Sequence, residues 1–126
     1  MLVIKKANTI EVKINIDVDT DTGKLKGQFS GFARIISKPA YRELLQKLTE
    51  QQTRGEIEDA DEALVRAIYE RFEGLGNDDG PLTGDAAFAE VLSGQYSQFL
   101  ATAAINEHTR TLQDASLGNF KTRRGR

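Results

Sequence analysis

Ile10, Val12, Ile14, Ile16 and Val18 alternate with Glu11, Lys13, Asn15 and Asp17, the period-2 pattern of a strand that buries one face. Asp19-Thr20-Asp21-Thr22-Gly23 then gathers turn formers and predicts a chain reversal. The return strand runs from Lys24 to Ile36, with Leu25, Phe29, Ala33 and Ile35 on one face and Lys26, Gln28, Ser30 and Arg34 on the other. Gly27 and Gly31 weaken that strand and invite a bulge or bend. Leu2 to Lys5, ahead of an Asn8-Thr9 turn, is a candidate third strand.

The period then changes to that of helices. Ser37 or Lys38 before Pro39 opens the first, since proline is tolerated in a first turn. Tyr41, Leu44, Leu45 and Leu48 follow at i, i+3, i+4 and i+7, one apolar stripe, and the helix ends before Gly55. Ile57, Leu64, Ile68 and Phe72 form a second stripe, with Asp59 or Asp61 placed to cap its first turn. Thr83 or Asp85 caps a short third helix carrying Phe88, Val91 and Leu92, which Ser93-Gly94 breaks. The last helix spans about Gln95 to Gln113 and carries two stripes. Tyr96, Phe99, Leu100 and Ala103 make one; Ala101, Ile105, His108 and Leu112 make another, rotated away from it. A helix apolar on two sides is either sandwiched inside its own fold or half-covered until a partner arrives.

Between the second and third helical patterns, Phe72 to Leu82 holds three glycines, Asn77 and Asp79-Gly80-Pro81, a multiply turned connection. Most connections are about 4–6 residues, so one this long is functional or specifically packed. The elements together predict an α+β fold: an N-terminal antiparallel hairpin, with a third strand as an option, packed on a bundle of about four helices. With 126 residues the chain is one domain, taken as residues 1–113 with a basic, flexible tail at 114–126. Apolar residues are 39% of the chain and there is no Trp, so the core is thin and self-association is a reasonable source of further stability.

Net charge is −2 but unevenly placed: from Glu73 to Gln113 six acids stand against one base, and from Asp114 to Arg126 four bases against one acid. The absence of Cys excludes a disulfide framework. The opening Met1-Leu2-Val3-Ile4-Lys5-Lys6 runs apolar to charged, the reverse of an export signal, and no apolar run approaches the ~20 residues of a membrane helix. A soluble, membrane-free protein of a reducing compartment is expected.

Candidate chemistry is sparse. Asp17, Asp19 and Asp21 with Gly23 resemble the opening of a calcium loop, but Thr22 and Gln28 stand where such a loop needs its Gly and its bidentate Glu. A solvated hairpin turn accounts for them. His108 is the only histidine and has only Glu107 and Arg110 as helical neighbours, which favours a packing or surface role over a catalytic or metal-binding one. Asp85 with Glu90, or Asp78 with Asp79, could form a carboxylate pair, yet acids in a glycine-rich turn are mostly solvated. No catalytic residue, metal ligand or cofactor is assigned. Lys121 to Arg126 could release counterions from a phosphate backbone, but the acidic body argues against nucleic acid as the main partner. The tail reads as a frayed end or a contact for an acidic protein.

The order of these features resembles the tail assembly chaperones of long-tailed bacteriophages. The resemblance spans roughly Phe29 to Asn119: Tyr41-Arg42-Glu43-Leu44-Leu45, the acidic Asp61 to Phe72 helix, the Phe72-Glu73-Gly74 to Asp79-Gly80-Pro81-Leu82 turn, Val91-Leu92, and Leu117-Gly118-Asn119. The chain departs from the family in having Phe72 where Trp is usual, and in its long β opening and basic end. The resemblance implies a non-enzymatic, oligomeric protein of the host bacterial cytoplasm that coats the tape-measure protein and helps recruit tail-tube subunits. A coat for a long helical chain needs moderately apolar surface rather than a pocket. The candidate partner-binding residues are Ala101, Ile105 and Leu112 on the last helix, with Phe72 and Leu75 in the glycine-rich segment. A small ligand-binding domain using that segment as a lid, or a nucleic-acid-binding regulator using the tail, are the alternatives.

Overall fold

The alternation at the start of the chain folds as a long hairpin. Strands β1 (Thr9–Thr20) and β2 (Gly23–Arg34) pair antiparallel over their whole length, from Thr9 opposite Arg34 to Thr20 opposite Gly23. This computed structural model describes the backbone of residues 1–124 and the side-chain surroundings of residues 1–114. Val12, Ile14 and Ile16 are buried, while Glu11, Lys13, Asn15 and Asp17 are exposed on the other face. Only Asp21 and Thr22 form the loop, followed by Gly23 at φ +135°, a conformation that favours glycine. Asp17 and Asp19 both face Lys24, at 3.2 and 3.7 Å, so these two acids of the turn are paired across the hairpin.

A third strand exists, but not at Leu2–Lys5. Those residues are exposed and irregular; the chain bends at Asn8, whose carbonyl accepts from the Ile35 N–H at 3.1 Å as an extension of the β1–β2 ladder. The third strand is β3 (Tyr69–Glu73), antiparallel to β2, which gives the order β1-β2-β3. The second helix is correspondingly short, α2 (Ala60–Ile68), and Phe72 lies in β3 rather than on that helix. A register shift explains the mimicry. Phe32 pairs with Arg71 and Ala33 with Tyr69, which leaves Glu70 as an extra, bulged residue. The bulge turns Tyr69 and Phe72 to the same buried side at a spacing of three, which looks helical in sequence.

That side is an aromatic cluster. Phe72 packs its ring 4.8 Å from Tyr69, 5.0 Å from Phe88 and 5.8 Å from Phe29, tilted and edge-on geometries that suit ring quadrupoles. Gly31 of β2 makes room for it: a β-carbon there would fall 2.7 Å from Tyr69 Cδ1 and 3.1 Å from Phe72 Cε1. Tyr69 fixes the cluster to the last helix by donating to the Ala104 carbonyl at 2.7 Å.

The caps of the first two helices follow the sequence, whereas Thr83, at the N-cap of the third, makes no side-chain hydrogen bond. Helix α1 (Lys38–Thr53) starts at Ser37, whose Oγ accepts from Ala40 N–H, and α2 starts at Asp59, whose Oδ1 accepts from Asp61 and Glu62. Of the α1 stripe, Leu48 is buried, Tyr41 and Leu44 are half-buried, and Leu45 is exposed. The glycine-rich segment is not multiply turned throughout. Strands β4 (Gly76–Asn77) and β5 (Gly80–Pro81) form a two-rung ribbon, whose tip is tied by Asn77 Oδ1 accepting from Asp79 N–H at 2.9 Å.

Helix α3 (Gly84–Ser93) packs Ala87 and Val91 into the core, and α4 (Ser97–Arg124) runs past the expected end at Gln113. The basic side chains Lys121, Arg123, Arg124 and Arg126 lie outside the described residues. Helix α4 sits between β1 on one side and α2 and α3 on the other. Among its described residues the most buried are Leu100, Ala104, Glu107 and His108, flanked by half-buried Ala101, Ala103 and Ile105. The two stripes read from sequence therefore merge over this stretch into one broad packed face, from which Phe99 is excluded and exposed.

Candidate functional site

Beyond the last rung of the hairpin the apolar pattern continues, but the helices no longer cover it. Ile35 and Ile36 follow β2 and precede the Ser37 cap. Ile35, expected on the buried face of the strand, is instead 50% exposed, because the ladder ends beneath it. Ile10, the second residue of β1, lies opposite Ala33; Lys38 and Tyr41 stand in the first turn of α1, and His108 and Leu112 are one turn apart on α4. These four segments line an open groove of about 480 Å³, within the size range of ordinary binding sites. Its walls are mainly apolar.

Its charged lining is cationic. Arg34 donates through Nη1 to the carbonyls of Arg66 and Ala67 at 3.2 Å each and of Tyr69 at 2.8 Å, so it holds the C-terminal end of α2 against the sheet. A cation at that end also suits the helix dipole. Neither Arg34 nor Lys38 forms an ion pair with a carboxylate among the described residues.

His108 is 4% exposed and sits edge-on to Tyr41 at 5.6 Å and to Tyr69 at 6.1 Å. The packing role expected from its sequence context is the one it has. Burial holds its imidazole below the ordinary range, so it is neutral near pH 7, and its Nδ1 has no hydrogen-bonding partner among the described protein groups. A buried polar atom left without a partner costs about 1–3 kcal/mol. Burial first, and then the charge of Glu107, push the Tyr69 hydroxyl well above its usual range, so it stays a neutral donor. Glu107 accepts from Asn15 Nδ2 at 3.0 Å and pairs with Arg110 at 3.0 Å, so its buried carboxylate is engaged by β1 and by its helical neighbour.

The residues singled out in the sequence fall in three places. Phe72 is only 2% exposed and belongs to the aromatic cluster, so its ring is not available to a partner in this conformation. Leu75, Ala101 and Ile105 are half-buried and pack against the core. Leu112 is 42% exposed and lines the groove. The sequence reading had no reason to join it to Ile10, Ile35, Ile36 and Tyr41, which come from separate elements. The available signal was the pair Ile35-Ile36, two large apolar residues directly before a helix cap.

No group of three or more His, Cys, Asp or Glu gathers among the described residues, and none of their helices is long and apolar enough to cross a membrane. Compared with known proteins, the chain matches no family model, no curated protein and no solved structure.

Proposed function

We propose that the protein is a non-enzymatic tail assembly chaperone of a long-tailed phage or prophage, which holds the tape-measure protein in the host cytoplasm and helps recruit tail-tube subunits. The observation that carries this reading is the open groove at the end of the hairpin: aliphatic side chains on fixed elements, arranged as a trough rather than around a reactive group. It suits the apolar stripe of a long helical client, which would aggregate if left bare. The order of sequence features from Phe29 to Asn119 supports the same assignment.

The test is co-expression with the tape-measure protein of the same phage. The chaperone reading expects that protein to remain in the supernatant and to co-elute with several copies of this chain, and to precipitate when expressed alone. A tape-measure protein that sediments equally with and without the chain, and never co-elutes with it, overturns the reading.

A further inference from the structure

The groove also carries information about what it holds. Resting on the partner-binding reading above, we infer that the groove takes an amphipathic segment of a protein partner whose apolar stripe is bordered by acidic residues. The argument is charge complementarity at an apolar site. The chain as a whole is net negative, yet among the described residues the charged ones lining this trough are Arg34 and Lys38, with no acidic residue. Arg34 is held by its three carbonyl contacts, and Lys38 is the first residue of α1. A cation held beside apolar surface attracts an incoming carboxylate more strongly than one in open water, and a basic segment meets two cations that have no carboxylate partner among the described residues.

The apolar part of the contact is supplied by Ile10, Ile35, Ile36 and Leu112, three of which are among the most exposed large apolar side chains of the domain. His108 closes the floor with its buried ring. A competing occupant is the Met1–Ile4 segment of a second copy, which is apolar and exposed. It is followed by Lys5-Lys6, which would meet Arg34 and Lys38 with like charge, so the acidic segment is the better match.

Two synthetic helical peptides with the same Leu/Ile stripe, one bordered by Glu and one by Lys, each with a single Trp, separate the cases. The chain has no Trp, so peptide fluorescence reports binding to the full-length protein directly. The Glu-bordered peptide should bind about tenfold more tightly at low salt, with the difference shrinking as salt is added. Lys38→Glu should reverse the preference, and Leu112→Glu should abolish binding of both peptides while circular dichroism and thermal unfolding remain unchanged. Equal affinities, or binding indifferent to Lys38→Glu and Leu112→Glu, overturn the inference. So does self-association that disappears in the full-length Leu2→Asp/Ile4→Asp variant, accompanied by release of the groove, because the occupant is then a second copy. Tape-measure capture that survives both groove variants contradicts the inference alone; failure of the unaltered protein to capture it contradicts the chaperone reading.

Discussion

At the β3 side of the sheet, the absent side chain of Gly31 is filled by aromatic rings that lock into one another, whereas at the start of β1 the aliphatic side chains of Ile10, Ile35, Ile36 and Leu112 line an open trough. Both regions are apolar, and both are built on the same two-stranded ladder. They differ in whether a neighbouring element closes over them. Strand β3 and α3 close the first; the ladder runs out before α1 and α4 can close the second. Apolar surface buried in the first contributes to folding, and apolar surface kept open in the second is what a partner can cover.

The sharpest break of this contrast is a charge in the closed core. Ile14 is fully buried on β1, so Ile14→Asp should cost several kcal/mol and abolish cooperative thermal unfolding. Unchanged stability would mean that the sheet face is not packed. Next in size is Gly31→Ala, where the added methyl meets the Tyr69 ring. Chemical denaturation should show a loss of about 1–3 kcal/mol, and an unperturbed midpoint would show that the ring moves freely.

These positions also show what could be read beforehand. The hairpin was legible because strict alternation from Ile10 to Val18 has only one structural meaning, and the caps at Ser37 and Asp59 were legible because local hydrogen bonding dictates them. Strand β3 was not, because the bulge at Glu70 gives Tyr69 and Phe72 the spacing of a helix. The ribbon at Gly76–Pro81 was hidden by its glycines and proline, which argue for turns. On α4, the separation into two stripes was legible but not the outcome, since Ala101 and Ile105 pack inward while Leu112, further along, does not. The groove was invisible for a different reason: its walls come from four segments that only the folded topology brings together.

Smaller effects refine the comparison. Tyr69→Phe removes the buried bond to Ala104 and should lower stability by about 1 kcal/mol in the same denaturation assay; no change would mean the hydroxyl contributes nothing net. His108 gives a pH signature. Its folded imidazole resists protonation while the unfolded chain takes up a proton near the ordinary value of 6.5, so the unfolded state binds more protons below that pH and the native protein loses stability as acid is added. Relative to His108→Leu, the unaltered protein should weaken as the pH falls from about 7 to about 5. Parallel pH profiles would place the imidazole in water instead. In the open trough, Ile36→Glu should change stability by no more than about 0.5 kcal/mol, because the position is already partly solvated. Unfolding of that variant would mean the trough is part of the core.

The central claim is that the open end of the hairpin, and not the glycine-rich ribbon, is where a partner binds. Hydrogen–deuterium exchange of the full-length protein, alone and in complex with the tape-measure protein proposed as its client, tests it directly. Slowed exchange across Arg34 to Tyr41 and in α4 around His108 to Leu112, with Leu75 to Leu82 unchanged, is the predicted result. Protection confined to Leu75 to Leu82, with the trough exchanging as it does in the free protein, would contradict the account.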